Sequence, residues 1–181
     1  MCFLIRVNKR KFDRKPTALE VAQIAKKFRI RSCTVNELRK IICSGQSVKP
    51  AIIDSNGRFI SQQVYFIDVD NTENFHSVDY NIMRCKLFGL VPILVYPTFS
   101  FCSQNQKHRL VFVLNEPVKD LRTRNLIQKY LNNIFGGDSK TADVNRLFFG
   151  SNSKPFFSSE CEINKDEILK KVEAVQYEFI I

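Results

Sequence analysis

The sequence predicts one mixed α/β (α+β) domain. Three observations carry that prediction. Short apolar runs rich in β-branched and aromatic residues alternate with segments of helical period. Helix starts are marked by Thr-x-x-Glu pairs. A length of 181 residues, 44% of them hydrophobic, suits one domain with a real core.

The elements follow in chain order. Cys2–Val7 reads as a short strand. Residues 9–15, with Lys9, Arg10, Lys11, Arg14 and Lys15, read as a basic arm, either a solvated loop or a phosphate-contacting one. Thr17 to Phe28 has a capping-box start (Thr17, Glu20) and an apolar face of Val21, Ile24, Ala25 and Phe28. A second helix starts at Thr34 with Glu37 as partner. It buries Leu38, Ile41 and Ile42, and Gly45 can end it. Residues 51–60 read as a hairpin turning at Ser55-Asn56-Gly57. Val64–Val69 is almost wholly apolar, the signature of a strand buried on both faces. Val78–Phe88 is helical and stops at Gly89. Pro92–Thr98 and Arg109–Leu114 are strands, the first broken or at an edge near Pro97. Asp120–Phe135 is the best-patterned helix. Ile127, Tyr130, Leu131, Ile134 and Phe135 face the core, Arg122, Arg124 and Lys129 lie more outside, and Gly136-Gly137 stops it. Leu147–Phe149 is a short strand, residues 151–159 are a loop, and Asn164–Val175 is a final helix.

Charge and cysteine usage narrow the class. With 28 Lys and Arg against 18 Asp and Glu, the net charge is +10, which favours a polyanionic partner, nucleic acid first. A basic protein without such a partner is the plain alternative. The six cysteines form no C-x-x-C pair, so a zinc ribbon is not expected. They read as reduced core thiols of a cytoplasmic protein. The N-terminus has its apolar piece before its basic residues, the reverse of a signal peptide. No apolar run approaches the roughly 20 residues of a membrane span.

Chemistry concentrates at strand ends. In YFIDVDN, Asp68 and Asp70 are two apart on a strand and share a face, Cα atoms roughly 7 Å apart. Two carboxylates so placed need a cation to be desolvated and ionised together. Two divalent ions, Mg²⁺ or Mn²⁺, about 3.5–4 Å apart, fit between such groups and a triphosphate. A strand end running into an exposed acidic loop is the other reading. Asp143, before Asn145-Arg146, is a cap or turn residue, or else a third carboxylate with Arg146 set to meet phosphate. His108 lies in a Lys107-His108-Arg109 triplet at a strand start, where it can hold polyphosphate or simply form a basic sheet edge. Ser100 can donate a hydroxyl to phosphate or sit in a turn. His76 reads as a surface residue of a polar loop.

Several mechanisms find no footing. There is no G-x-S-x-G elbow, no phosphate-binding G-x-x-x-x-G-K-[ST] loop and no G-x-G-x-x-G fingerprint. The H-x-H pair of a rolling-circle nicking initiator is missing, and a D-x-D glycosyltransferase would leave the basic charge unexplained.

The series FIDVDN, then YPTFS and KHRLVFVL, then DVNRLFFG resembles the archaeo-eukaryotic primase superfamily, in particular the small primase-polymerases of plasmids, phages and mobile elements. The likeness runs from about residue 50 to 150. Asp68 and Asp70 match the first motif, His108 the histidine of the second, and Ala142-Asp143 the third loosely. Gln106 departs from the small residue of the second motif, so that a backbone or hydroxyl contact to the triphosphate is either lost or taken over by Ser100 or Ser103.

The resemblance implies a catalytic sheet like that of an RNA-recognition motif, flanked by an N-terminal α/β unit. Residues 1–50 would be the basic N-terminal part, 51–150 the core, and 151–181 a C-terminal loop and helix. It implies a metal-dependent primase or primase-polymerase acting on single-stranded DNA with NTP or dNTP substrates. Asp68, Asp70 and Asp143 would hold two Mg²⁺ or Mn²⁺ ions. His108, Arg109, Lys107, Ser100 and Arg146 would hold the nucleotide, and a replicative helicase could serve in cis or in trans. The alternative is a nucleic-acid-binding replication-initiator domain whose catalytic site has decayed.

Overall fold

The structure, a computed structural model, describes residues 2–71 and 75–178. Residues 72–74 of the polar loop lie outside the described residues.

Two antiparallel sheets organise the chain. The first has strand order β2-β1-β3-β8, from β1 (Phe3–Lys11), β2 (Arg29–Cys33), β3 (Gln46–Lys49) and β8 (Phe148–Phe149). Helix α1 (Ala18–Ile24) lies between β1 and β2, and α2 (Val35–Cys43) between β2 and β3. Both helices start with the expected capping boxes, at Thr17 and Thr34. The second sheet has order β4-β5-β7-β6-β9, from β4 (Ile52–Ile53), β5 (Phe59–Val69), β6 (Leu94–Pro97), β7 (His108–Val118) and β9 (Phe157–Ser158). Helices α3 (Val78–Phe88), α4 (Leu121–Phe135) and α5 (Lys165–Glu178) complete the chain.

Strand β5 is the spine. Its alternate residues enter two cores. Tyr65, Ile67 and Val69 pack with Leu110 and Phe112 of β7 beneath α3, α4 and α5. Val64 and Phe66 pack with Val111 and Val113 against Ile5, Val48 and Phe148 of the first sheet and Leu38 and Ile42 of α2. The fold is therefore helices, sheet, then the N-terminal sheet with α2. The expected burial of β5 on both faces follows from this layering.

The expected order of strand, helix, two strands, helix, strand is present. In space β7 lies between β5 and β6, antiparallel to each. The last strand departs from it. Phe148–Phe149 pairs with β3 of the N-terminal sheet, while β4 takes the far side of β5. That swap ties the two sheets together beside the C-terminal end of β5.

Other differences have plain causes. The expected arm at 9–15 is strand as far as Lys11. The first helix ends at Ile24, short of Phe28. Strands β2 and β3 give no sequence signal, because β2 is exposed along Arg29–Ser32 and β3 is four residues long. The loop at 151–159 contains β9, which pairs with β6. All six cysteines are free, but Cys2, Cys102 and Cys161 are exposed rather than in the core. Among the described residues, no helix is long and apolar enough to cross a membrane.

Candidate active site

The two sheets part at the C-terminal end of β5 and leave a cleft of about 490 Å³. Asp68, Asp70, Ser100, Lys107, Arg109, Asp143 and Arg146 all line it. These are seven of the eight site residues expected from sequence. Lys15, Asn145 and Phe99 line it as well.

Strand register explains who faces the cleft. Asp68 pairs with Arg109, and Arg109 with Tyr96, so these three form one row across β5, β7 and β6. The row lies on the face shared by Val64 and Phe66. Asp70 and Lys107, two residues along their chains from this row, keep to the same side. Val69, His108 and Pro97 form the next row, on the opposite, helix-covered face. His108 is therefore 0% exposed and does not line the cleft.

The expectation that His108 grips a triphosphate needs correcting for this reason. Its ring sits under β7, with Nε2 3.0 Å from Asn81 Nδ2 and Nδ1 2.6 Å from the Gln106 carbonyl. An amide N–H donating to Nε2 leaves Nδ1–H to donate to Gln106, which describes a neutral imidazole. The Gln106 carbonyl also accepts from Asn71 Nδ2 at 3.1 Å, and Gln106 Oε1 accepts from the Val78 amide at 2.9 Å. His108 thus braces the turn that presents Lys107. Gln106, the departure from the second motif, caps the entry to α3 from this same network. His76 is half-buried beside Tyr80 and Gly136, not a surface residue.

Burial pushes the His108 pKa below its ordinary value, and its bond to Gln106 and the Asp68 charge only partly oppose this. The unfolded chain then binds the extra proton first. Stability contributed by neutral His108 is present above the ordinary histidine pKa, about 6.5, and is lost as pH falls below it toward the depressed folded value. Thermal unfolding should show a midpoint that drops on acidification from pH 7 to 5.5. A His108→Gln variant should show a shallower drop over the same range.

Asp68 is 4% exposed and fully engaged. Arg109 Nε donates to Oδ1 at 2.8 Å and Nη2 to Oδ2 at 3.3 Å, a two-point clamp. Arg146 Nη2 stands 4.0 Å from Oδ2 and 3.8 Å from Asp138. Burial opposes the Arg109 charge, yet the Asp68 carboxylate and Tyr96 outweigh it and raise the arginine pKa. Arg109 also donates to the Phe149 carbonyl at 2.7 Å, joining β7 to β8. Asp70 is less confined and pairs with Lys107 at 3.4 Å. Asp143 is exposed, and its Oδ1 accepts from the Asn145 amide at 2.8 Å, so it is both a turn residue and a cleft residue. Ser100 is exposed at the rim.

Sequence reasoning misses the residue that holds the Asp143 segment. Arg124, expected on the outside of α4, is 1% exposed. Its Nε donates to Gln62 Oε1 at 2.8 Å, Nη1 to the Ala142 carbonyl and Nη2 to the Thr141 carbonyl at 3.3 Å. The short 3-10 turn Ser139–Ala142 before Asp143 is thereby pinned to α4. Gln128 and Asn132 continue the grip, both bonded to Thr141 Oγ1. Arg124, Gln128 and Asn132 recur every four residues, so the sequence does contain a polar line along an otherwise apolar face. Arg124→Met would strand buried carbonyls at about 1–3 kcal/mol each. The expected outcome is a lower unfolding midpoint by calorimetry.

The donor set in the cleft is hard: three carboxylates, with no imidazole or thiol among the lining residues. That chemistry fits Mg²⁺ or Mn²⁺. The carboxylates do not converge, however. Among the described residues, no group of three or more His, Cys, Asp or Glu is placed to hold a metal ion.

The fold of two antiparallel sheets with flanking helices matches that of a solved primase-polymerase domain. The chain is similar to the AEP domain of the cyanophage S-2L primase-polymerase (TM-score 0.52, 12% identity, covering 92% of this chain and 86% of that one). It is also similar to the catalytic domain of primase RepB', solved in complex with initiator DNA (TM-score 0.48, 14% identity, 97% and 89%). At 12% identity the likeness to the S-2L domain shows the fold alone. No family model and no curated protein matches the sequence.

Proposed function

We propose that the chain is a primase or primase-polymerase domain, joining nucleotides on a single-stranded DNA template. One observation carries the reading. Asp68, Asp70 and Asp143 share a single cleft with Lys107, Arg109, Arg146 and Ser100, on the primase fold. Carboxylates for a divalent ion and cations for a triphosphate are the two groups that nucleotidyl transfer requires.

Asp68, Asp70 and Asp143 line one cleft without converging, and they would have to draw together to hold Mg²⁺ or Mn²⁺ ions. When bound, such ions lower the pKa of an attacking hydroxyl and neutralise charge on the phosphates. Lys107 and Arg146 bind the triphosphate as donors at the rim. Arg109 is held by Asp68 at the cleft wall. Among the described residues Asp70 is ion-paired with Lys107 alone, so unlike Asp68 it is open to a ligand. His108 keeps Lys107 in place from beneath the sheet.

A binding-only replication-initiator domain is the second reading. It is favoured by the Asp68–Arg109 clamp, which occupies both oxygens of one carboxylate. Thermal shift separates the two. An enzyme gains stability from nucleotide only when Mn²⁺ is also present, and more than from either alone. A binding-only domain gains stability from DNA, with no nucleotide effect linked to metal.

A further inference from the structure

The excess charge is not spread over the molecule. Residues 1–50 hold 13 Lys and Arg against three Asp and Glu, whereas residues 51–181 hold 15 of each. The whole net charge of +10 therefore belongs to the N-terminal sheet and its two helices. Two of its three acids are already spent: Glu20 on Arg10 and Arg14, and Glu37 on Arg31. Lys26, Lys27 and Lys49 have no acidic ion-pair partner among the described residues.

These cations adjoin an apolar surface. Arg6 of β1 pairs in register with Ile30 on one side and Lys49 on the other, so all three point to one face. Leu4, two residues before Arg6, shares it. Leu4 is 48% and Ile30 53% exposed, large apolar groups left in water. The Lys49 ammonium lies 5.1 Å over the half-buried Phe28 ring and donates to the Ala25 carbonyl at 3.3 Å, which brings the end of α1, with Lys26 and Lys27, to the same surface. The face runs on to the cleft, since Arg6 Nη2 donates to Asn145 Oδ1 at 3.3 Å and Asn145 lines the cleft beside Asp143.

Unpaired cations beside exposed apolar and aromatic groups suit one class of partner. Phosphates take the lysines, while unstacked bases cover the apolar side chains. We infer that the Leu4–Ile30–Phe28 face of the N-terminal sheet, edged by Lys26, Lys27 and Lys49, is a binding surface for single-stranded nucleic acid. It would lead the strand toward the Asp143 side of the cleft. The surface supplies the template of the proposed primase, and so rests on that reading, but binding to it requires neither metal nor nucleotide.

The test is fluorescence anisotropy with labelled oligothymidine in EDTA, over a series of salt concentrations. Lys26→Glu/Lys27→Glu should weaken binding at least tenfold and reduce the slope of log affinity against log salt by roughly 0.7 for each phosphate the surface no longer neutralises. Phe28→Leu keeps the apolar volume but removes the ring. It should weaken binding severalfold with the salt slope unchanged. Arg122→Glu/Lys129→Glu, the same charge change on the exposed side of α4, should have little effect. Equal losses from both charge-reversal pairs would mean net charge alone is at work and would overturn the assignment, as would equal affinity for duplex DNA. Should Ile30→Asp dissociate a dimer in sedimentation while Lys26→Glu/Lys27→Glu leaves DNA binding intact, the face is a contact between copies instead. Wild-type chain that binds oligothymidine through this face in EDTA yet incorporates no nucleotide would sink the catalytic reading alone, so the two failures are read separately.

Discussion

Asp70→Ala should abolish nucleotide addition, by about 10²–10³-fold or more, with almost no change in stability. The residue joins exposure to position. Its carboxylate is 42% exposed, and its only ion pair among the described residues is with Lys107 at 3.4 Å. An exposed pair of that kind is worth about 0–1 kcal/mol, so its loss leaves the fold intact. Yet it shares a strand face with Asp68 and a cleft with Asp143. A calorimetric midpoint close to that of the wild type, together with lost incorporation, is the expected pair of results. Wild-type incorporation by this variant would remove Asp70 from the chemistry.

Asp68→Ala should behave differently, although both residues belong to the same D-x-D. Removing Asp68 leaves the Arg109 guanidinium buried against Tyr96 and Phe148 without its counter-ion. Breaking a buried pair from one side costs about 3–5 kcal/mol, a large share of the stability of a domain this size. Denaturant unfolding should register that loss. The double variant Asp68→Ala/Arg109→Met, which removes both charges, should recover much of it. If Asp68→Ala alone is as stable as the wild type, then the clamp does not hold β5 to β7. Inactivity of Asp68→Ala therefore says little about catalysis, and Asp70 is the cleaner probe.

The outline of the fold is legible in the sequence because its signals are local. The two Thr-x-x-Glu boxes, the apolar run of β5 and the stop at Gly136 each act over a few residues. Strands β2, β3 and β9 are not legible. Each is short or exposed and owes its existence to a partner strand far along the chain. The site is legible where strand period applies and misleading where residue type alone is read. Period two places Asp68 and Asp70 together, and the same rule divides Lys107 and Arg109 from His108. In the triplet Lys107-His108-Arg109, the flanking cations reach the cleft and the histidine braces them from the other side. Arg124 misleads because a charged residue on a helix is usually solvated. Its spacing with Gln128 and Asn132 carries the opposite message. Asp143 has the weakest local pattern of the three carboxylates, and it does line the cleft with Asp68 and Asp70 at the end of β5.

The most direct test is incorporation of labelled nucleotide by the wild-type chain on single-stranded DNA, with and without a primer, in Mg²⁺, Mn²⁺ or EDTA. The predicted result is template-dependent product in the presence of a divalent ion and none in EDTA. A folded, DNA-binding protein that yields no product with either ion, ribo- or deoxynucleotides and any primer state would contradict the catalytic reading and leave the binding-only domain.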